Sequence, residues 1–92
     1  MARITLSGTM SCGADDISVV LAALPDHIRL SRAEEGCLSF EVSQDAANPG
    51  VFHVSESFVD QAAFDVHQAR TRASAWWQAT QDFPRDFTVS KR

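Results

Sequence analysis

The 92-residue chain lacks several features that mark common classes of protein. No stretch approaches the roughly eighteen consecutive apolar residues of a membrane span, and no long apolar run follows the basic residue near the start, so we expect a soluble, cytoplasmic protein. Eight basic residues face twelve acidic ones, which gives a net charge of −4. No basic cluster could neutralise a run of phosphates, so neither nucleic acid nor a membrane is an expected partner.

Motifs that indicate cofactor or metal binding are also missing. The chain has no glycine-rich nucleotide-binding motif, no nucleophile elbow and no zinc-type pair of cysteines. Its three histidines show no metal-ligand spacing, so we expect neither a metal nor a cofactor. Cys12 and Cys37 are expected to be free thiols, because nothing else suggests a disulfide-stapled scaffold and the predicted sheet places them at opposite edges.

What the sequence does contain is a succession of strand and helix patterns. Alternation of apolar and polar residues predicts four strands, at residues 3–12, 37–43, 51–58 and around 87–89. The order βαββαβ is that of the split βαβ, ferredoxin-like α+β fold with a four-stranded antiparallel sheet.

Two stretches have the apolar spacing of helices. In the first, one apolar stripe is formed by Ile17, Val20, Leu21, Leu24 and Ile28. Pro25 predicts a kink or restart there, because it removes an amide donor from the helix interior. The second runs over residues 61–70 and continues over 72–80, with Asp60 as its N-cap and a bend near Thr71.

The strand patterns also bear on assembly. A chain of this length forms one domain, over residues 1–92, with one modest core. Each predicted strand has one apolar face and one face rich in serine and threonine, as expected when helices cover only one side of the sheet. The uncovered side needs water or a partner, and a small domain gains burial through self-association, so we expect a homodimer.

A glutamate and a histidine occur among residues predicted to be buried. Parity places Glu56 on the helix-facing side of the third strand, and His67 lies beside Ala63 and Phe64 on the apolar face of the second helix. A buried carboxylate without a partner is costly, and a neighbouring imidazole would relieve that cost while shifting both pKa values. Two interpretations stay open: an acid–base pair, or a hydrogen-bonded core histidine.

The remaining histidines and the tryptophans also allow functional interpretations. Trp76 and Trp77 could line an aromatic-binding pocket by stacking, or could fill the core or a dimer seam. His27, next to Pro25 and Asp26, is predicted to lie at the surface. His53 lies on the polar sheet face, where it could contact a partner subunit.

Three segments together resemble a known family. They are EGCLSFEV at 35–42, VSESF at 54–58 and AAFDVH at 62–67, with a short Asp/Asn/Pro hairpin between the first two. The combination resembles the antibiotic biosynthesis monooxygenase family, from about residue 35 to 77 and, through the element order, over the whole chain. The resemblance implies a dimeric α/β barrel, in which two sheets pack face to face and each subunit keeps a cavity between its sheet and helices.

The resemblance also implies a chemistry. Some members of the family oxidise aromatic phenols or quinols with dioxygen and without a cofactor, and many have no assigned substrate. His67 matches the family's helix histidine, which would be the general base or the hydrogen-bond partner of the substrate hydroxyl. Glu56 matches the glutamate of the third-strand motif and would orient or tune His67. The implied pocket residues are Phe40, Phe64, Trp76 and Trp77.

The chain departs from the family pattern in two respects and also differs from haem-degrading relatives. It has no tyrosine, which removes phenolic donors that some members present to a quinol, and Glu35 stands where a proline is common. Haem-degrading relatives carry an iron-ligating histidine near the position of Trp77 and an asparagine in the first strand; this chain has neither, which disfavours haem.

Two alternatives to the oxygenase remain. A non-catalytic ligand-binding or dimeric scaffold protein of the same fold is favoured by the missing tyrosines, and it predicts a filled interior. An isomerase or decarboxylase on the same barrel would need only a base and a dry cavity, so the sequence does not separate it from the oxygenase.

Overall fold

The computed structural model describes residues 2–91 and has one four-stranded sheet. The strands are β1 (Ile4–Ser11), β2 (Cys37–Gln44), β3 (Val51–Phe58) and β4 (Arg85–Lys91). They lie in the order β2-β3-β1-β4, and each neighbouring pair is antiparallel. Three helices complete the chain: α1 (Ile17–Arg32), α2 (Gln61–Arg72) and α3 (Ala75–Thr80). This architecture confirms the predicted ferredoxin-like α+β fold.

Side-chain caps set the boundaries of the helices after β3. The Asp60 carboxylate accepts a hydrogen bond from the Ala63 amide at 2.9 Å and so begins α2, as predicted. Ser74 begins α3 in the same way, by accepting from the amide of Trp77. The predicted bend near Thr71 is therefore a break between two helices, at residues 73–74.

The first helix corrects three predictions. It runs through Pro25 without a restart, because Pro25 faces solvent and the carbonyl that loses its amide partner belongs to Leu21, a residue that is 43% exposed. Its buried stripe keeps Val20 and Leu24 of the predicted apolar set but is completed by His27 and Ser31. The prediction that His27 lies at the surface is wrong: His27 follows Leu24 by three residues on the buried face and is only 6% exposed.

Two irregularities shape the sheet. Gly8 has a φ of +148°, and a Cβ atom there would overlap the Asp86 carbonyl oxygen, so the missing side chain lets β4 approach closely. A register shift between Cys37 and Ser39 makes a bulge in β2. Leu38 alternates with polar residues in the same way as Phe40 and Val42, but because of the bulge it is 49% exposed.

The core consists of two apolar clusters. The first cluster contains Ile4, Leu6, Val54, Phe58 and Phe64. The second cluster contains Met10, Val20, Leu24, Phe52 and Trp76. Val42 and Phe87 pack against both clusters, so the two meet above the middle of the sheet.

Other expectations concern the thiols and the polar face. Cys12 and Cys37 are both free, as predicted. His53 is exposed on the uncovered face, where its Nε2 lies 2.8 Å from Asp45 Oδ1 in the adjoining hairpin. Within residues 2–91, no helix combines the length and apolar character needed to cross a bilayer.

Candidate functional site

A cavity of about 210 Å³ lies where the two clusters meet. Its floor is apolar and is formed by sheet residues Leu6, Met10, Val42, Val54 and Phe87. Its other walls contain titratable and aromatic side chains. They include five of the six predicted site residues, namely Phe40, Glu56, His67, Trp76 and Trp77. The cavity is therefore mostly apolar with a few polar groups, the usual make-up of a small-molecule site.

Phe64 is the predicted pocket residue that does not line this cavity. Its ring packs against Phe58 in the first cluster, with 5.5 Å between centroids. Phe64 shares the buried face of α2 with His67 but lies about one turn nearer the start of the helix. That displacement places its ring in the filled part of the core instead of at the cavity.

The structure brings Glu56 and His67 together. Glu56 pairs with Leu6 on one side and with Phe40 on the other, so its side chain points toward the helices. Glu56 Oε1 lies 3.4 Å from Nε2 of His67, and the two residues are only 7% and 1% exposed. Among the described residues, Oε1 of Glu56 has no hydrogen-bond partner. Glu56 therefore interacts with His67 as an ion pair, without a hydrogen bond at this oxygen.

The other ring nitrogen of His67 has a short, defined partner that sequence reasoning missed. His67 Nδ1 lies 2.6 Å from Oε1 of Glu34. Glu34 Oε2 accepts from Nε of Arg70 at 2.9 Å, and Arg70 Nη2 donates to Ser31 Oγ at 2.9 Å. An available signal was the spacing on α2, where Arg70 follows His67 by three residues and therefore lies on the same side of the helix.

This arrangement orients the His67 ring and places two carboxylates beside it. Since Glu34 occupies Nδ1, the Nε2 side faces two more distant groups, Glu56 Oε1 and Thr71 Oγ1, each at 3.4 Å. Burial alone would lower the pKa of His67, but its interactions with the carboxylates of Glu56 and Glu34 outweigh burial and raise the pKa above its usual value. The raised pKa favours the protonated form of His67, which lies between the carboxylates of Glu34 and Glu56.

His27 forms a second imidazole in the cavity wall, and its surroundings are aromatic. It stacks on Trp76, with 4.6 Å between centroids and planes 3° apart, and meets Phe40 edge-on at 5.1 Å. Its centroid is 6.2 Å from that of His67. Burial, and then the charges of His67, Arg70 and Arg85, lower the pKa of His27 to about 3, so this ring is neutral at physiological pH.

The two tryptophans occupy different positions. Trp76 is buried in the second cluster and also lines the cavity, so the pocket and packing interpretations both hold for it. Trp77 is half-buried, and the Arg85 guanidinium carbon lies 5.0 Å from its ring centroid. Arg85 in turn donates to the carbonyls of Thr80 and Phe83, which ties α3 to the start of β4.

Metal-ligating side chains do not gather in the part of the chain that the structure describes. That part contains no group of three or more His, Cys, Asp and Glu side chains able to hold a metal ion. The acidic group at the cavity, Glu56, is instead paired with His67, and this arrangement suits proton transfer.

Solved structures share this architecture. A crystal structure described as an antibiotic biosynthesis monooxygenase aligns with a TM-score of 0.78 and 24% identity, over 100% of this chain and 96% of that one. PA3566 from Pseudomonas aeruginosa aligns with a TM-score of 0.76 and 24% identity, over 100% and 93%. SO0527 from Shewanella oneidensis aligns with a TM-score of 0.75 and 26% identity, over 98% and 88%. These likenesses establish the fold.

The amino-acid sequence carries the family relation as well. No curated protein sequence matches the chain. The family model described as antibiotic biosynthesis monooxygenase, however, matches residues 4–79. This range begins with β1 and ends within α3, and it includes Glu34, Glu56 and His67. With most of its length matched by the model, the chain belongs to the antibiotic biosynthesis monooxygenase family.

Proposed function

We propose that the protein is a cofactor-independent monooxygenase that oxidises a small or polycyclic aromatic phenol or quinol with dioxygen. The observation that carries this proposal is the cavity itself, in which a buried imidazole–carboxylate pair adjoins an apolar floor and aromatic walls. Such a space suits a planar aromatic ring, and the pair suits a hydroxyl group on that ring. A filled interior, which a purely scaffolding protein would have, is not what surrounds His67.

The first step is removal of the hydroxyl proton. The Glu56 carboxylate accepts it, and the aryloxide that forms lies beside His67. Because the raised pKa of His67 favours its protonated form, the ring stabilises the negative charge on the substrate as it develops. Glu34 holds Nδ1, so that Nε2 is the nitrogen directed toward the substrate.

The second step is transfer of electrons to dioxygen. An aryloxide is a better electron donor than the phenol, so it can reduce dioxygen and form a carbon–oxygen bond at a free ring position. The resulting peroxide takes up the proton held by Glu56. Loss of the ring hydrogen and cleavage of the O–O bond then give a quinone and water. One oxygen atom enters the ring and one leaves in water, and the aromatic substrate supplies all four electrons.

The assembly proposed for this site is a homodimer. The outer face of the sheet is polar, with exposed Ser7, Ser43, Ser55 and Thr88, and no element of residues 2–91 covers it. A second copy packing on this face would form the barrel that the family resemblance implies. Sedimentation equilibrium tests this directly: a mass near twice 10.1 kDa is expected, and a monomer at micromolar concentration would refute the dimer.

Oxygen consumption on a panel of phenols and naphthols tests the catalytic proposal. The wild-type protein should consume dioxygen with at least one of them, and His67→Gln and Glu56→Gln should each lower kcat/KM by about 10²- to 10⁴-fold. Glu35→Gln is the matched control, because Glu35 is exposed and does not line the cavity, so this variant should leave the rate unchanged. Circular dichroism and urea unfolding confirm that the variants are folded.

Labelled dioxygen separates the proposal from its alternatives. With ¹⁸O₂, the quinone should contain one labelled oxygen atom. A product without label would indicate an isomerase or decarboxylase, and tight binding with no oxygen uptake would indicate a ligand-binding protein. Either result would contradict the oxygenase.

A further inference from the structure

The cavity has a mouth, formed by wall residues that the proposed chemistry does not use. These residues come from the end of α2, from α3 and from the start of β4, and they are less buried than the rest of the wall. Gln68, Thr71, Trp77 and Arg85 are half-buried, and Arg72 is exposed. The mouth is therefore the part of the wall that a ligand meets from the solvent side.

The mouth carries positive charge that no acidic side chain balances. Three other arginines each form an ion pair with a carboxylate, but Arg72 and Arg85 form none within residues 2–91. Among the described residues that line the cavity, Glu56 is the only acidic one, and its carboxylate is paired with His67. The whole chain has a net charge of −4, so this local excess of cations comes from the placement of the two arginines and not from composition.

Arg85 is held in place with part of its hydrogen-bonding capacity unused. Its Nη1 donates to the carbonyls of Thr80 and Phe83, at 2.7 and 3.1 Å, and its Nη2 donates to Thr80 Oγ1 at 2.7 Å. A guanidinium has five N–H donors, so these bonds leave one at Nη2 and the one at Nε. Unlike Nη1 of Arg70, Nε of Arg85 is not fully buried, so a ligand can reach it.

The contacts of Arg85 fix its orientation but leave its charge uncompensated. Its three acceptors are neutral oxygen atoms, and its guanidinium carbon lies 5.0 Å from the ring centroid of Trp77. Burial of a cation without an acidic partner is costly, and burial lowers the pKa of Arg85. An anionic group would relieve this cost, and a planar carboxylate matches the geometry of a guanidinium.

We infer that the mouth is an anion-recognition site, at which Arg72 and Arg85 bind a carboxylate carried by the aromatic ligand while the ring system of that ligand occupies the cavity. Arg85 supplies a fixed donor at Nε, and the exposed Arg72 supplies a second cation that can adjust to the ligand. The inference adds a determinant of specificity to the proposed function. It rests on the cavity binding an aromatic compound, but neither on a hydroxyl group nor on oxidation.

Isothermal titration calorimetry with two probes of similar shape tests the inference. The probes are 2-naphthoate, which is anionic at neutral pH, and 2-naphthamide, which is uncharged. The carboxylate should bind about tenfold or more tightly at low ionic strength, because hydrogen bonds between ionised groups are stronger than neutral ones. This preference should shrink as salt is added. Equal dissociation constants, a preference for the amide, or no binding of either probe would overturn the inference.

Substitutions of Arg72 locate the preference. Arg72→Gln should reduce it to about threefold or less, and Arg72→Glu should abolish or reverse it, while the affinity for 2-naphthamide stays within about twofold in both variants. Arg29→Gln is the matched control, because Arg29 is also exposed but lies outside the cavity lining, and it should keep the full preference. A preference of wild-type size in Arg72→Glu would overturn the assignment.

NMR of the Arg85 side chain gives a test in the wild-type protein. Its Nε–H resonance should shift when 2-naphthoate binds and should move far less with 2-naphthamide. An unchanged resonance would refute the contact. Because neither probe carries a hydroxyl group, neither can be oxidised in the proposed way. Failure of the anion preference therefore leaves the oxygenase proposal intact, and failure to consume oxygen leaves the assignment of the mouth intact.

Discussion

Two histidines, one at each end of the cavity wall, lie in opposite environments. At one end His67 lies among carboxylates, with Glu34 2.6 Å from one ring nitrogen and Glu56 3.4 Å from the other. At the other end His27 lies between aromatic rings and makes no such pair. Both rings are almost fully buried, yet the pKa of His67 is raised and that of His27 is lowered to about 3.

This difference separates the effect of burial on a histidine pKa from the effect of nearby charges. Burial acts on both rings in the same direction, because it disfavours the protonated form. At His67 two acidic partners outweigh burial, whereas at His27 the nearby charges are positive and add to it. The cavity wall thus has a charged end at His67 and a neutral end at His27, with ring centroids 6.2 Å apart.

The largest expected effect comes from removing the Glu34 carboxylate at the charged end. Glu34→Leu should destabilise the protein by about 3 to 4 kcal/mol, because it leaves Nδ1 of His67 and the guanidinium of Arg70 buried without their acidic partner. The control is Glu35→Leu, at an exposed neighbouring position, which should change stability by about 0.5 kcal/mol or less. Urea unfolding at pH 7 measures both. Similar costs for the two variants would show that Glu34 does not hold the site together.

The next largest effect is a pH dependence of folding stability that His27, at the neutral end, causes. His27 stays neutral in the folded protein down to about pH 3, whereas in the unfolded chain it takes up a proton below about pH 6.5. The unfolded state therefore binds more protons, and folding stability falls as the pH is lowered. Between pH 7.5 and 4.5 this single group should account for a loss of about 2.5 kcal/mol.

His27→Phe should remove that contribution, and urea unfolding at a series of pH values measures it as the difference in slope between variant and wild type. His67 gives the opposite sign: its raised pKa adds stability that is present below about pH 6.5 and is lost as the pH rises through its folded-state pKa. Parallel slopes for His27→Phe and the wild type between pH 7.5 and 4.5 would show that His27 titrates normally.

Strand parity and helical spacing were enough to predict the fold and two residues of the charged end, Glu56 and His67. Alternation along β3 assigns Glu56 to the helix-facing side, and the apolar face of α2 includes His67. These are local periodicities, so they can be read from the sequence without knowing how the elements pack. The bulge that turns Leu38 outward breaks the alternation of β2, and no periodicity in the sequence indicates it.

The neutral end was missed because it depends on how α1 is rotated against the sheet. The apolar set of α1 centres on Leu24 and Ile28, but the buried stripe is turned by roughly 45° from it, toward His27 and Ser31. That rotation is decided by tertiary contacts, including the stacking of Trp76 on His27. Glu34 was missed for a related reason, since it lies in the connection after α1 and meets His67 only when α2 packs beside it.

The smallest expected effect tests whether Nε2 of His67 is held as firmly as Nδ1. Thr71 Oγ1 is 3.4 Å from Nε2, at the long limit for a hydrogen bond, whereas Glu34 is 2.6 Å from Nδ1. Thr71→Val keeps the shape of the side chain and removes only the hydroxyl, so it should cost about 0.5 kcal/mol in urea unfolding and leave the pKa of His67, followed by NMR, raised. A cost comparable to that of Glu34→Leu would mean that the protein itself occupies Nε2. A small cost would show that Thr71 adds little and that Glu56 is the main partner of Nε2.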